Sequence, residues 1–217
     1  MAIITLERKI LKKNDEIASE NRTIFKEKNI FTINLLSSPG SGKTSLLEKT
    51  LEKISQNINT AVIEGDVQTD NDARRVGYYH VPVVQIITNG GCHLEAKLIQ
   101  DALGNFDLSG LHLLIIENVG NLVCPANYDL GEDKKVVMVS TTEGDDKPLK
   151  YPPMFRVADL MIINKIDLLP YVDFKLENVR QNVLNINPKI EILELSCKTG
   201  EGFDNWINWL YKNINPE

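Results

Sequence analysis

Residues 37–45, S-S-P-G-S-G-K-T-S, have the composition of a phosphate-binding loop. Gly40 and Gly42 allow the backbone angles that turn successive N–H groups inward, and the following helix would point its positive end at the phosphates. Lys43 would reach the β- and γ-phosphates, and the Thr44 hydroxyl would ligate Mg²⁺. A serine stands where the consensus has its first glycine, but the G-K-T core is intact. The predicted nucleotide-binding residues here are Gly40, Ser41, Gly42, Lys43, Thr44 and Ser45.

Two further motifs have residues that can select a guanine base. In N-K-I-D, the Asp167 carboxylate can accept both the N1–H and the 2-amino group of guanine, a pair that adenine lacks. Asn164 would bond the purine edge, and the stem of Lys165 would cover one face of the ring. The second motif, S-C-K, would place a backbone N–H against the guanine O6, and we interpret its cysteine as a small residue of this loop. The residues of the second motif are Ser196, Cys197 and Lys198.

Acidic residues that follow two apolar runs could serve Mg²⁺ and the γ-phosphate. Asp66 would bind Mg²⁺ or a water in its shell, and Asp72 is a second candidate in a segment that could move towards the γ-phosphate. In E-N-V-G, Glu117 would lie near Mg²⁺, and the N–H of Gly120 would sense the γ-phosphate. No glutamine follows Gly120 to orient the attacking water, so we expect slow intrinsic hydrolysis. The candidate catalytic residues are Lys43, Thr44, Asp66, Asp72, Glu117 and Gly120.

Adjacent Cys92 and His93, in N-G-G-C-H-L-E-A, have side chains that bind Zn²⁺ or Ni²⁺. We expect the pair at the start of a helix, whose positive end would lower the pKa of Cys92. Cys124 is the candidate third ligand and lies four residues after Gly120, within ~14 Å of it. Three ligands leave a tetrahedral site open to water, to a transferable ligand or to a second subunit. The alternative is two unrelated cysteines, one buried and one at a helix cap.

Seven apolar runs alternate with helical patterns, and these elements must position the motifs. Near-continuous Val, Ile and Leu indicate strands that are covered on both faces, so we predict an α/β fold of the P-loop NTPase type. Its doubly wound, mainly parallel sheet of about seven strands would be flanked by helices and would bind ligands beyond the strands' carboxyl ends. The predicted strands are 30–36, 60–64, 81–87, 112–118, 135–140, 159–165 and 190–196. The predicted helices are 43–56, 70–79, 93–103, 174–186 and 203–213.

The composition is that of an ordinary globular chain: 217 residues, 42% hydrophobic and 25% charged. Residues 1–29 are predicted to form an amphipathic helix that packs on a GTPase domain spanning 30–217. The net charge of −6 argues against a nucleic-acid-coating surface. No run approaches the ~20 apolar residues of a membrane span, and no secretory signal is present, so we expect a cytoplasmic protein. Three cysteines in a reducing compartment are not expected to form disulfides.

The motifs resemble, in kind and order, those of the hydrogenase nickel-incorporation GTPases, the HypB family of hydrogenase maturation proteins. The resemblance rests on S-S-P-G-S-G-K-T, G-G-C-H-L-E-A, E-N-V-G-N-L-V-C-P-A, T-E-G-D-D-K-P-L-K-Y-P and N-K-I-D-L, and it covers the chain from residue 30 onward. It implies a GTP-dependent homodimer that, with a partner metallochaperone, helps deliver Ni²⁺ to the large subunit of nickel–iron hydrogenase. It also implies that Cys92, His93 and Cys124 bind nickel or zinc at the dimer interface, and that Lys150 can approach the other subunit's nucleotide.

Two departures from relatives and three alternatives qualify this resemblance. No Cys or His precedes His80, which disfavours nickel storage, and Lys97 replaces a histidine that some relatives use for a second metal ion. The urease accessory GTPases share the loop and base motifs but pair their metal residues as C-P-H, which is absent here. A nickel or zinc carrier with a merely structural nucleotide is a second alternative. A kinase-like enzyme is a third, and N-K-I-D argues against it. The N-terminal helix is either a packing helix or a docking element for the metallochaperone.

Overall fold

The computed structural model describes residues 6–214, with the side chains of residues 9–214, so the first five residues of the predicted N-terminal helix lie outside the described part. The predicted sheet is confirmed: seven strands form one sheet in which every pairing is parallel. Their order across the sheet is β3-β2-β4-β1-β5-β6-β7. The strands are β1 Phe31–Ser37, β2 Thr60–Asp66, β3 Val83–Ile87, β4 Leu113–Glu117, β5 Lys134–Ser140, β6 Leu160–Asn164 and β7 Glu191–Glu194.

Helices cover both faces of this sheet. The chain forms two helices between β5 and β6 that the sequence analysis does not predict. These helices accommodate their prolines because the prolines lie at the first or second helical position, where no N–H is needed. The predicted helix 93–103 begins later than expected, at Ala96. The helices are α1 Leu6–Lys28, α2 Lys43–Ile54, α3 Asn71–Gly77, α4 Ala96–Leu103, α5 Lys147–Lys150, α6 Pro152–Val157, α7 Leu176–Ile186 and α8 Phe203–Ile214.

Two apolar layers hold the helices to the sheet. On one face, α2, α3 and α8 contribute buried residues such as Leu46, Val76 and Trp206 to a single cluster with the strands. On the other face, α6 and α7 pack beside one half of the sheet, and α1 and α4 beside the other half. Burying each large aliphatic side chain in these layers contributes ~1.5–3 kcal/mol. The sheet is therefore covered on both faces, as its continuous apolar strands predict.

The helix α1 is joined to the rest of the chain by two buried asparagines. The Ala96 N–H, the first of α4, donates to Asn14 Oδ1 at 2.8 Å. Asn21 Nδ2 donates to the carbonyl oxygens of Ala96 (2.9 Å) and Leu130 (3.0 Å). The bond to Asn14 satisfies the first N–H of α4, which has no partner within the helix. The helix α1 thus braces the segment that directly follows His93.

Because all strands are parallel, their carboxyl ends meet at one edge of the sheet. The order of the strands reverses around β1, with β4 on one side and β5 on the other, which is the position where doubly wound sheets bind ligands. The loops after β1, β2, β3, β4, β6 and β7 carry the motifs described above. Within residues 6–214, no helix has both the length and the apolar composition of a membrane span.

Candidate functional site

The phosphate-binding loop connects β1 to α2 in the conformation that its glycines permit. Gly42 has φ 103°, and a Cβ there would lie 2.6 Å from Asn164 Nδ2, so this position requires glycine. Lys43 Nζ donates to Ser37 Oγ at 2.9 Å. The serine that replaces the consensus glycine therefore gives the buried ammonium group of Lys43 an acceptor. The loop, Lys43 and Thr44 border a cavity of about 570 Å³, a volume that suits a small ligand.

A glutamate that the sequence analysis did not single out braces this loop from behind. Ser41 Oγ donates to Glu143 Oε1 at 2.6 Å, and the same carboxylate caps the turn that follows β5. Lys147 lies 3.3 Å from Glu143 Oε2 and donates to Ser38 Oγ at 3.3 Å. The signal in the sequence is T-E-G-D-D-K, in which Lys147 follows Glu143 by four residues. A buried carboxylate next to a phosphate site needs a cation to neutralise it, and Lys147 supplies that charge. Lys150, in contrast, is exposed and pairs with Asp146 at 2.6 Å.

The two motifs predicted to recognise the base are held against each other and against the phosphate loop. Asn164 Nδ2 donates to the Ser41 carbonyl at 2.9 Å, and its Oδ1 accepts the Cys197 N–H at 3.1 Å. Ser196 Oγ donates to Asp167 Oδ1 at 2.6 Å, which fixes the orientation of that carboxylate. Asn164 is buried and uses its amide to tie the two loops together, a role that the sequence analysis did not predict.

The remaining base-loop residues border the same region. Lys165 has φ 62° and donates from Nζ to the Gly40 carbonyl at 2.8 Å, so its stem crosses over the phosphate loop. Burial raises the pKa of Cys197 to about 12, which leaves this thiol protonated and unreactive. Lys198 is exposed and Ser45 is half-buried beside the cavity.

A second unpredicted residue, Glu64, lies beside Glu117 in the sheet. The two are direct lateral partners on β2 and β4. Glu117 Oε1 accepts the Thr44 hydroxyl at 3.0 Å, whereas Glu117 Oε2 and Glu64 Oε1 are buried and accept no hydrogen bond from the described residues. Burial raises the pKa of Glu64 to about 10, and the neighbouring Glu117 carboxylate acts in the same direction. Burial likewise raises the pKa of Glu117 to about 7, although the nearby Lys43 opposes that shift.

This group fits a small divalent cation. Mg²⁺ takes oxygen ligands from carboxylates and hydroxyls, and the Glu117 carboxylate contacts the Thr44 hydroxyl through one oxygen and has its other oxygen unpartnered among the described residues. Thr44 and Glu117 would hold the ion directly, with Glu64 behind them. Glu64 could have been found from the sequence, because a residue two positions before Asp66 in a strand points to the same face. It was overlooked because it ends an otherwise apolar run.

The two aspartates proposed for Mg²⁺ or the γ-phosphate occupy the loop and helix after β2. Both border the cavity. Asp66 accepts the Gln68 N–H (2.9 Å) and the Thr69 hydroxyl (3.2 Å). Burial opposes ionisation, but these and other local hydrogen bonds outweigh it and lower the pKa of Asp66. Asp72 pairs with Arg75 at 3.0 Å in the first turn of α3. Asp66 is therefore an ionised carboxylate whose oxygens already order its own loop.

The segment after β4 lies directly against the phosphate loop. A Cβ on Gly120 would lie 3.1 Å from Pro39, so only glycine allows this approach without displacement. Asn118, Val119 and Gly120 border the cavity together with the phosphate loop. A γ-phosphate bound at Lys43 would therefore be next to the Gly120 backbone, as the E-N-V-G motif predicts.

The structure brings Cys92, His93 and Cys124 together. Their candidate ligand atoms all lie within 4.8 Å of one another, and Cys92 Sγ is 3.5 Å from His93 Nδ1. Ligands of a tetrahedral zinc ion with Zn–S bonds of ~2.3 Å are separated by about 3.8 Å, so a small contraction would suffice. Burial lowers the pKa of His93, which favours the neutral imidazole that binds metals. The His93 ring also stacks on Tyr128, with centroids 3.8 Å apart.

The prediction that a helix end lowers the pKa of Cys92 is wrong. The helix α4 begins at Ala96, so Cys92 and His93 lie in the preceding loop and not in its first turn. The hydrogen bond to Cys124, followed by burial, raises the pKa of the Cys92 thiol. The same loop conformation removes the difficulty that adjacent residues on a helix point about 100° apart. It allows both side chains to face one point.

Comparison with known proteins gives consistent similarities. Residues 31–194 match the family model described as CobW/HypB/UreG, nucleotide-binding domain. The chain is 52% identical over 208 residues to the hydrogenase maturation factor HypB of Azotobacter vinelandii, which covers 96% of this chain and 69% of that protein. A crystal structure of the hydrogenase maturation factor HypB from Archaeoglobus fulgidus superposes with a TM-score of 0.88 at 42% identity, covering 94% of this chain and 100% of that one. HypB from Helicobacter pylori in complex with nickel gives a TM-score of 0.88 at 39% identity, covering 93% and 95%.

Proposed function

The chain belongs to the HypB family of hydrogenase maturation factors, and on that premise we propose that it is a GTPase that binds nickel or zinc and helps insert nickel into nickel–iron hydrogenase. The family that the motifs resemble is thus confirmed by relatives at about half identity. Hydrolysis, metal binding and their coupling are the parts that we propose for this chain.

One observation carries the proposal: the metal-ligand cluster and the phosphate loop share a single short segment. Gly120 contacts Pro39 of the phosphate loop, and Cys124, four residues later, lies with Cys92 and His93. A change in the backbone next to a γ-phosphate would therefore take place within four residues of a metal ligand. A nickel carrier that used its nucleotide only as a structural support would have no need of this arrangement.

The nucleotide chemistry follows from the residues around the cavity. Lys43 would neutralise the β- and γ-phosphates, and the hydroxyl of Thr44 with the carboxylate of Glu117 would hold Mg²⁺. A Mg²⁺ ion held by Thr44 and Glu117 would neutralise the negative charge that develops as the γ-phosphoryl group passes to water. Asp167, oriented by Ser196, would select guanine. Because no glutamine follows Gly120 to orient the attacking water, the intrinsic rate would be slow.

Three ligands from one chain leave the coordination of a tetrahedral metal incomplete. A second subunit that supplies further ligands would complete it, and would make a homodimer that depends on GTP and metal. The solvent-exposed Lys150 would then be available to the other subunit's nucleotide. A metallochaperone would supply the nickel and the hydrogenase large subunit would receive it, in the cytoplasm. Residues 1–29 would brace the domain formed by residues 30–217.

GTP turnover tests the nucleotide half of the proposal. Phosphate release from GTP and from ATP would be measured with Mg²⁺, with and without Ni²⁺, for the unmutated chain and for Lys43→Ala. We expect slow release from GTP, little from ATP, and loss of GTP binding in Lys43→Ala with Ni²⁺ binding retained. Release no faster than background under all conditions would refute the GTPase assignment.

Titration with Ni²⁺ and with Zn²⁺ tests the metal half. Cys92→Ala, His93→Ala and Cys124→Ala should each weaken binding by at least about tenfold, because each removes one of three ligands. Cys197→Ser is the matched control, since this buried thiol belongs to the base loop and should leave metal affinity unchanged. Light scattering in the presence of GDP and of a non-hydrolysable GTP analogue would report the dimer. Full metal affinity in Cys124→Ala would exclude the three-ligand site.

A further inference from the structure

Two asparagines after β4 attach the Cys92–Leu94 loop to the segment that contacts the phosphate loop. Asn118 is 1% exposed, and Asn121 is half-buried. Both lie within the E-N-V-G-N-L-V-C-P-A motif, but neither side chain has been given a role in the nucleotide or metal site above. Their side chains nevertheless bond to the two ends of the metal-binding loop, so their geometry bears on how one site acts on the other.

Asn118 joins one end of the metal-binding loop to the centre of the sheet. Its Oδ1 accepts the Leu94 N–H at 3.2 Å, and its Nδ2 donates to Asn34 Oδ1 on β1 at 3.2 Å. Its own N–H donates to the Leu35 carbonyl at 3.0 Å. Leu94 is fully buried, and the neighbouring His93 ring is stacked on Tyr128. The His93 side of the loop is therefore attached through Asn118 to the buried central strand β1.

Asn121 joins the other end of the loop to the γ-phosphate segment. Its Nδ2 donates to the Cys92 carbonyl at 3.2 Å, and its Oδ1 accepts the Val123 N–H at 2.8 Å. It lies one residue after Gly120, which contacts Pro39. The next residue, Leu122, is 4% exposed and packs in the core beside α6 and α7. A shift at Gly120 would therefore meet a buried residue along the backbone at Leu122, whereas Asn121 is directly bonded to Gly120.

We propose that Asn121 is a positioning residue that transmits the nucleotide state to the metal site by moving Cys92 relative to His93. This inference rests on the proposed function and adds the residue that transmits the coupling and the metal ligand that moves. A γ-phosphate would draw Gly120 towards the phosphate loop, and the Asn121 amide would carry the Cys92 carbonyl with it. His93, attached through Leu94 to Asn118, would stay in place. Cys92 would be the ligand whose distance to the others depends on the nucleotide.

The test is the ratio of two Ni²⁺ dissociation constants, one with GDP and one with a non-hydrolysable GTP analogue. In Asn121→Ala we expect this ratio to fall to within about twofold of one, whichever nucleotide favours metal in the unmutated chain. A single neutral hydrogen bond can support a change of at most about tenfold, so the loss is measurable but bounded. GDP affinity and the thermal midpoint would be measured alongside, because a merely structural role would alter those and leave the ratio in place.

Asn121→Asp separates the two hydrogen bonds of this side chain. A carboxylate still accepts the Val123 N–H but cannot donate to the Cys92 carbonyl. We expect the ratio to fall in this variant as it does in Asn121→Ala. Because the aspartate still accepts the Val123 N–H, this variant tests the inference even if the alanine variant fails to fold. Retention of the full ratio in Asn121→Asp would show that the Cys92 bond is not the route.

Asn127→Ala is the matched control. Asn127 is the same residue type in the same segment, is exposed, and has no side-chain hydrogen bond to the described residues. It should keep the ratio of the unmutated chain. A ratio of one in the unmutated chain would overturn the proposed coupling together with this inference. A ratio that differs from one in the unmutated chain and survives unchanged in Asn121→Ala would overturn the inference alone.

Discussion

The buried pair Glu64 and Glu117 predicts a specific dependence of stability on pH. Burial raises the pKa of Glu64 to about 10, far above the ~4.3 of an unfolded glutamate. A raised folded-state pKa means that the folded chain holds a proton which the unfolded chain releases. The stabilisation is therefore complete below about pH 4 and declines as the pH rises towards 10. Replacing Glu64 with glutamine removes this titration and preserves the shape of the side chain.

The magnitude follows from proton linkage. Where the folded chain binds one proton more than the unfolded chain, the free energy of unfolding falls by about 1.4 kcal/mol per pH unit. Between about pH 7.5 and 9 this slope holds for any folded pKa that lies well above the range, and Glu117, with a pKa of about 7, adds little there. The unmutated chain should lose about 2 kcal/mol over this interval through Glu64, a large part of a typical total. Glu64→Gln should not show this loss.

Urea unfolding at several pH values would measure the effect, with a chelator present and nucleotide absent so that no cation occupies the pair. The quantity of interest is the difference in unfolding free energy between Glu64→Gln and the unmutated chain, which should grow with pH. Glu52→Gln, at an exposed glutamate of α2, controls for the loss of one negative charge. A difference that stays constant across the range would refute the reasoning, because it would mean that Glu64 is ionised in the folded chain.

Three further predictions concern single contacts. Gly120→Ala should slow GTP turnover by at least about tenfold while GDP affinity stays within about twofold, because the new Cβ would lie 3.1 Å from Pro39. Unchanged turnover would contradict the proposed contact between Gly120 and the γ-phosphate. Asp167→Asn should weaken GTP binding by about 10- to 100-fold and improve the competition of xanthosine triphosphate for the site, and equal GTP affinity would contradict guanine recognition by this carboxylate. Asn14→Ala should lower the free energy of unfolding in urea by about 1–3 kcal/mol, since it leaves the buried Ala96 N–H unpaired; a loss below ~0.5 kcal/mol would show that water replaces the bond.

The parts of the fold and site that could be predicted are those with local causes. The strands are near-continuous apolar runs, because both faces of the parallel sheet are covered, and their boundaries differ from the structure by only a few residues. The phosphate loop could be predicted because its chemistry lies within residues 37–45 and depends on glycine angles and one lysine. The base motifs could be predicted because each directly follows a strand, and parallel strands end at a common edge.

The parts that could not be predicted depend on pairings between distant segments. The strand pattern places Glu64 on the same face as Asp66, but its pairing with Glu117 depends on a lateral register that only the assembled sheet sets. The start of α4 was misplaced because G-G-C-H-L-E-A contains good helix formers. In the structure, Asn14 and Asn21 of α1 take the backbone groups of Ala96, which fixes the beginning of the helix there. That shift removes the expected helix-end effect on Cys92, and the hydrogen bond to Cys124, followed by burial, raises the pKa of this thiol instead.

The route of coupling between nucleotide and metal also changes between sequence and structure. The spacing of Gly120 and Cys124 suggests a path along the backbone, in which Cys124 would be the ligand that moves. In the structure, buried Leu122 lies between them and the residue after Cys124, Pro125, is buried as well, so a displacement at Gly120 is absorbed before it reaches Cys124. The Asn121 amide bypasses that obstacle and acts on Cys92. Leu122→Ala therefore discriminates the two paths. If the coupling runs along the backbone, removing this buried side chain should increase the dependence of Ni²⁺ affinity on the nucleotide. If the coupling runs through Asn121, the dependence should weaken, because Asn121 would no longer move about a fixed point.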